Sequence, residues 1–472
     1  MRLVNAAFPS RGCRIAGDST TWGFMTGKFN GYLLKCSAVG ALGGLLFGFD
    51  TAVISGATHS LTETFKLSSF WLGATVASAL WGTVLSAVFA GVIGEKLGSR
   101  ETLRITALLY VLSAIGCALA WDLPSLIFFR FLGGLGIGGS SVLGPVYIAE
   151  LAPANWRGRL VGLFQINIVV GILLAYWSNY LIGLMPLGLN EWRWQLGVSG
   201  IPALLFLVML YGIPRSPRWL VAKEQVEEAR QVLLKTSMGD AEAELAAIVA
   251  DVSEERANQE ERLFTRRHRF PIFLAIATGA FNQLTGINAI LYYLNDIFAL
   301  AGYNKISGGM QAVVIGATNL LFTLIAMAVI DKLGRKQLLL IGSVGMCLCL
   351  LGVAVTMQNH ALMRSLVWYL IAYIGFFAFS QGAVIWVYIS EVFPTMVRSR
   401  GQSLGCSTHW IMNALISGTF PMVAEASGSL PFYFFSAMML VQFLVVFFIF
   451  PETKGVSLEQ MEKQLAGGGK GH

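Results

Sequence analysis

The stretch "GGLLFGFDTAVISG", residues 43–56, is apolar and glycine-rich except for one carboxylate, Asp50. A lone charge inside a bilayer costs at least a few kcal/mol, so it calls for a partner of opposite sign. Arg130, in "FFRFLGGLGIGG", is a basic residue inside another apolar run. Counted from the outer ends of the spans assigned below, near residues 54 and 124, the two charges lie at similar depths, within two turns at 3.6 residues per turn. Such a pair is either a permanent structural ion pair or a proton site. In the second case the carboxylate takes up a proton when the arginine is drawn away, because a desolvated carboxylate is ionised only beside a cation. Intramembrane ionisable groups are functional by default, which favours the proton site.

The elements that must position these charges are membrane helices. The chain is 472 residues long, 55% hydrophobic and only 12% charged, against about a quarter charged for a soluble domain. Apolar runs of at least about 18 residues, the length that crosses a bilayer, recur about twelve times. They fall near 31–54, 70–94, 102–121, 124–149, 159–183 and 195–214, then near 271–300, 309–330, 336–357, 365–391, 401–423 and 430–450. The polar stretch between the two sets carries "EQVEEARQVLL" and "AEAELAAIVADV", both with helical spacing. The expected organisation is a disordered segment 1–29, a six-helix bundle 30–214, a partly helical linker 215–269, a second bundle 270–451 and a tail 452–472. Residues 1–27 lack the apolar core of a signal peptide, and Met25 is an alternative start. Lys and Arg crowd one side of this topology, which predicts cytoplasmic termini and accounts for most of the net charge of +7 without a nucleic-acid partner. The cysteine spacing suggests no disulfide framework.

The two halves repeat one another. "GEKLGSR" at 94–100 returns as "IDKLGRK" at 330–336, and "ELAPANWR" at 150–157 returns as "EVFPTMVR" at 391–398. Two motifs recurring at nearly one offset imply two related bundles in parallel orientation, as in alternating-access transporters. The charges of these turns, Glu95, Arg100, Glu150, Arg157, Asp331, Arg335, Glu391 and Arg398, form a candidate cytoplasmic latch that pairs across the halves in one state and separates in the other. Solvated anchors that merely obey topology are the plainer reading, since isolated exposed pairs contribute little.

Together with "PVYIAELAPANWRG", "NEWRWQLG", "PRSPRWL", "NQLTGINAILYY", "WVYISEVFP" and "PETKG", these motifs resemble the sugar porter family of the major facilitator superfamily from about residue 31 to 458. The resemblance implies an all-α fold of twelve transmembrane helices in two pseudo-repeated bundles, with no enzymatic activity and no cofactor beyond H+ as coupling ion. Asp at position 50, rather than the Asn of passive animal carriers, is similar to the proton-coupled bacterial members, whose partner arginine matches Arg130.

A sugar needs neutral groups that both donate and accept, which amides supply, and an aromatic plate for its C–H face. The family positions that contact sugar match Gln165, Asn282, Gln283, Asn288, Asn319, Trp386, His409, Trp410 and Asn413, with Phe47 and Tyr292 as gates. A lone amide is as well explained as interhelical glue, worth about 0.6 kcal/mol. "NQLTGIN" with Gln165 and Trp386 makes a sugar site the stronger reading, with Gly286 as the bend. Several residues depart from the family pattern: Asn282 for Gln, His409 for an amide, Ile172 for a polar residue, Ala383 for the Pro that weakens the tenth helix, Ser99 for a basic residue, and Arg215 for Glu. The implied function is proton-coupled import of a monosaccharide, hexose or pentose with glucose favoured, by a monomer in a bacterial-type inner membrane. The alternatives are a passive facilitator and a non-transporting sensor. A membrane enzyme gains no support from histidines scattered at 59, 268, 360, 409 and 472.

Overall fold

The computed structural model describes residues 30–153, 156–257, 263–394 and 397–454. The segment 1–29 and the expected tail beyond 454 lie outside them. Among the described residues there is no β-strand. The first half comprises α1 (Gly31–Phe65), α2 (Ser69–Leu97), α3 (Ser99–Leu119), α4 (Leu123–Leu151), α5 (Arg157–Gly183), and a sixth span split into α6 (Glu191–Gly197) and α7 (Gly200–Met209). Three polar-sequence helices follow, α8 (Pro217–Ala222), α9 (Val226–Thr236) and α10 (Ala241–Ala257). The second half has a seventh span in three pieces, α11 (Arg269–Leu284), α12 (Ile287–Tyr292) and α13 (Leu294–Leu300). Then come α14 (Lys305–Leu333), α15 (Arg335–Gln358), α16 (Leu366–Phe379), α17 (Gln381–Glu391), α18 (Arg398–Ala426) and α19 (Leu430–Phe448).

Side-chain caps fix where several helices begin. Asn30, Ser68 and Asn304 accept from first-turn amides of α1, α2 and α14, and Asp122 forms a capping box with Ser125 at the start of α4. Each cap satisfies amides that the helix leaves unpaired.

Among the described residues, eleven helical segments are long and apolar enough to cross a bilayer. The expected twelfth, α18, falls outside that set although it has 29 residues. Its polar residues explain this: His409, Asn413 and Ser417 are buried, and α18 packs against α2 and α11. They face protein, so the helix spans without being apolar all round.

Within the first half α1 packs on α5 and α4, and α2 and α3 pack on α4; within the second, α15 packs on α16 and α19, and α11 on α18. The halves meet along two seams, α2 with α18 and α5 with α14. The sequence repeat is also a repeat of conformation. Gly98 (φ 90°, ψ 149°) and Gly334 (φ 94°, ψ 159°) make the same turn between helices, in a left-handed region that glycine enters without strain. Tyr147 donates to the Pro214 carbonyl at 2.9 Å, and Tyr388 donates to that of Pro451 at 3.1 Å.

Two expectations need correction. The first helix does not end near residue 54: α1 continues to Phe65 because Ile54, Ala57 and Leu61 are buried, packed among helices that include α6 and α13. Asp50 is therefore 15 residues from the end of its helix, about 22 Å at 1.5 Å per residue, and not one turn from it. The tenth span breaks even with Ala383 in place of Pro. Ser380 (φ −118°, ψ −87°) interrupts it, with its hydroxyl donating to the Phe376 carbonyl at 2.6 Å.

Candidate functional site

The glycines around Asp50 set how closely α1 approaches its neighbours. A Cβ on Gly48 would lie 1.8 Å from the Ile168 carbonyl oxygen of α5, so only glycine permits this backbone contact. Packed this way, α1 brings Asp50 to α4, and Arg130 Nη1 donates to Asp50 Oδ1 at 3.1 Å. The pairing deduced from end-counting thus forms, although one of the two counts was wrong.

The pair is asymmetric. The Arg130 side chain is 4% exposed and that of Asp50 19%. Arg130 Nε is buried without a partner, and among the described residues the second carboxylate oxygen makes no hydrogen bond. This is a single charge-assisted bond and not the two-pronged fork that arginine can offer a carboxylate. One oxygen is held and the other is open to whatever reaches it.

Three residues before Asp50 on α1, the Phe47 ring lies 5.1 Å from that of Trp410 on α18. Residues at this spacing share a helix face. Trp410 leads to His409, whose ring is 5.1 Å from the rings of both Trp410 and Trp386. Gln283 Nε2 lies 3.2 Å from both ring nitrogens of His409, and donates to Asn282 Oδ1 at 3.3 Å. One turn further along α18, Asn413 donates to the Tyr292 hydroxyl at 3.2 Å and accepts from Ser417 at 3.0 Å. Contacts thus join Phe47, Asn282, Gln283, Trp386, His409 and Trp410, and separately Tyr292 with Asn413.

The left-handed backbone at Gly286 (φ 81°) separates α11 from α12. A Cβ there would also meet the Phe435 ring at 2.3 Å, so the bend needs glycine twice over. It lets one span present Asn282 and Gln283 on one side of the break and Asn288 and Tyr292 on the other.

Three expected amides stand apart from this cluster. Gln165 on α5 and Asn288 on α12 are half-buried, Asn319 on α14 is 5% exposed, and none makes a hydrogen bond among the described residues. Trp386 is half-buried, whereas Trp410 is 1% exposed with an unpartnered indole N–H. Trp410 therefore packs as a wedge between Phe47 and His409, and Trp386 keeps a face available. Sequence reasoning missed Ser417, which fixes the Asn413 amide. Its spacing of four residues from Asn413 on one helix was the available signal.

Among the described residues, Arg335 and Glu391 of the candidate latch pair within the second half. Arg335 Nη2 bonds Glu391 Oε1 at 2.9 Å, and Thr453 donates to the other Glu391 oxygen at 2.6 Å. In the first half Ser99 donates to Glu150 at 3.0 Å. Arg100 turns to the Ile213 carbonyl and, with Arg104 and Arg215, gathers on Glu101, a carboxylate that sequence reasoning passed over in "SRETLR". Glu95 is exposed, with its carbonyl accepting from the Trp219 indole; Arg157 is exposed at the first turn of α5, and Arg398 is half-buried at the first turn of α18. The Asp331 side chain lies outside the described residues.

A sequence profile described as "Sugar (and other) transporter" matches residues 36–465. The chain belongs to the sugar transporter family. It is 38% identical over 453 residues to a glucose transport protein of Synechocystis sp., covering 91% of this chain and 97% of that one. It is 34% identical over 470 residues to the D-xylose-proton symporter of Escherichia coli K12, covering 91% and 95%. The inward-open conformation of the E. coli xylose transporter XylE superposes with a TM-score of 0.81 at 33% identity, over 92% of this chain and 99% of that one. The fold is therefore the twelve-helix major facilitator fold, and the protein is an integral membrane transporter, not an enzyme.

Proposed function

We propose that this sugar transporter imports a monosaccharide together with a proton by alternating access, with Asp50 carrying the proton and Arg130 as its counter-charge. The observation that carries the reading is the double engagement of one turn of α1. Phe47 touches the aromatic and amide cluster of the second half, and Asp50, three residues on, holds a single bond to Arg130. Movement of α1 on sugar binding changes both. With the outer side open, protonation neutralises Asp50, releases Arg130 and lets the halves rock once sugar is bound. On the inner side the proton leaves, and the Asp50–Arg130 bond reforms before return.

In this reading Gln283, Asn282 and the unengaged amides of Gln165, Asn288 and Asn319 serve the sugar hydroxyls. Trp386 packs on the sugar's C–H face, His409 and Asn413 complete the polar lining, and Phe47 and Tyr292 gate it. Trp410 backs the gate. The charges of the basic face, Glu95, Arg100, Glu150, Arg157, Asp331, Arg335, Glu391 and Arg398, form its latch. Glucose is favoured, a pentose stays open, and both kinds of relative named above support a sugar of this size. The bundles keep the boundaries given from sequence, the chain works as a monomer in a bacterial-type inner membrane, and the basic face with both termini is cytoplasmic.

The test is Asp50→Asn. Accumulation of labelled sugar driven by a pH gradient is expected to vanish while counterflow exchange persists. Unchanged accumulation would reduce the Asp50–Arg130 pair to a structural one and leave a passive facilitator.

A further inference from the structure

The face opposite the basic turns carries polar contacts that join the halves. At the outer end of the α2–α18 seam, the Ser69 hydroxyl donates to Glu425 Oε2. At the outer end of the other seam, Lys305 at the start of α14 bonds Glu191 Oε2 at the start of α6. Glu191 is 4% exposed and is also held by Gln195 Nε2 at 2.8 Å.

The donors of these contacts are related by the internal repeat. Ser69 and Lys305 stand 236 residues apart, the offset that separates Gly98 from Gly334, and their preceding caps Ser68 and Asn304 stand at the same offset. In each case the first residue of a helix reaches a carboxylate in the other half. The two carboxylates are not repeat mates: Glu425 lies one residue before the end of α18, whereas Glu191 is the first residue of α6, beyond the end of α5 at Gly183. Between the clamps the seams are tight: a Cβ on Gly73 would meet the Gly418 carbonyl oxygen at 2.0 Å, and one on Gly316 would meet Leu173 Cα at 3.1 Å.

We propose that Ser69–Glu425 and Lys305–Glu191, whose donors are related by the repeat, are clamps that hold this outer face shut, with the ionic clamp setting how readily it opens. The inference rests on the alternating-access reading. When the halves part, Lys305 leaves with the second half and Glu191 keeps only the Gln195 amide. A buried carboxylate that loses its cation gives up that attraction, and this loss opposes opening until water replaces the cation. The Ser69–Glu425 clamp loses one hydrogen bond and opposes it less. The repeat thus places two donors symmetrically, and the partners supplied by the sequence make the fasteners unequal.

The test uses cysteines at Met185 and Met310, exposed positions flanking the ionic clamp in different halves, in a background without the native cysteines. The spin-labelled protein is studied in lipid nanodiscs, a monodisperse size-exclusion peak reports that each variant folds, and sugar uptake is measured alongside. Glu191→Gln and Lys305→Met are each expected to raise the long-distance, outward-open population about tenfold, within the range of ordinary conformational couplings. Ser69→Ala is expected to raise it less, and the exchanged pair Glu191→Lys with Lys305→Glu is expected to restore the short distance. Unchanged distances in both single variants, with uptake retained, would overturn the clamps and leave the transport reading standing. A chain that moves no sugar yet opens on Lys305→Met would keep the clamps and remove the function proposed above.

Discussion

The first half of the molecule carries charge where the second half carries amides and aromatic rings. Asp50 and Arg130 both belong to the first half and meet at 3.1 Å, whereas Asn282, Gln283, Trp386, His409 and Asn413 all belong to the second. Two bundles with one ancestral plan have therefore specialised. In the reading proposed above, the proton chemistry resides in one, most of the sugar chemistry in the other, and α1 is the element that touches both. On that reading, coupling need not run through a shared binding group. It needs only one helix whose position both ligands change.

The largest expected effect comes from breaking the charged side alone. Arg130→Met leaves Asp50 without its cation, and gradient-driven accumulation of labelled sugar is expected to fall about 100-fold, in line with a few kcal/mol for an intramembrane charge. Breaking the amide side should look different. Gln283→Ala is expected to raise the KM for sugar by about tenfold, the loss of one or two hydrogen bonds, while sugar-induced proton uptake per sugar moved stays unchanged. If Gln283→Ala abolished proton movement but spared sugar movement, the division between halves would be wrong. His409→Gln restores the usual amide and is the gentlest of the three, with an expected two- to fivefold change in KM, about one neutral hydrogen bond's worth.

A smaller contrast lies on the basic face. Arg335 pairs with Glu391 in the second half, whereas Ser99 takes the matching place beside Glu150 in the first. Arg335→Met removes an ion pair that is only partly buried, so the expected loss of thermal stability is modest, about 1 kcal/mol. Ser99→Ala should cost less still. Melting curves of the two variants, measured side by side, check the order.

Much of this was legible in the sequence because membrane helices announce themselves by length and apolarity, and because the repeat motifs stand at fixed offsets. The Asp50–Arg130 bond was legible because neither charge is tolerable in lipid without the other, and depth counting and family likeness named the partner. What was not legible depended on packing. The extension of α1 to Phe65 rests on contacts with α6 and α13 that polar residues such as His59, Thr62 and Thr64 disguise. The break at Ser380 has no proline to mark it. The gathering of Arg100, Arg104 and Arg215 on Glu101 joins residues more than 110 positions apart. The expected sugar residues His409, Trp410 and Asn413 came from likeness to the family's sugar-contacting positions. Gln165 and Asn319, alone on their helices, could be matched only by family likeness.

The most direct measurement is proton movement during sugar entry, read as external alkalinisation when sugar is added to unbuffered, energy-depleted vesicles holding either the unsubstituted chain or Asp50→Asn. Alkalinisation with the first and none with the second, while both exchange labelled sugar, is the expected result. Equal alkalinisation in both would place the proton elsewhere. Sugar exchange without alkalinisation in either would leave the bond between Asp50 and Arg130 as a structural tie in a passive carrier.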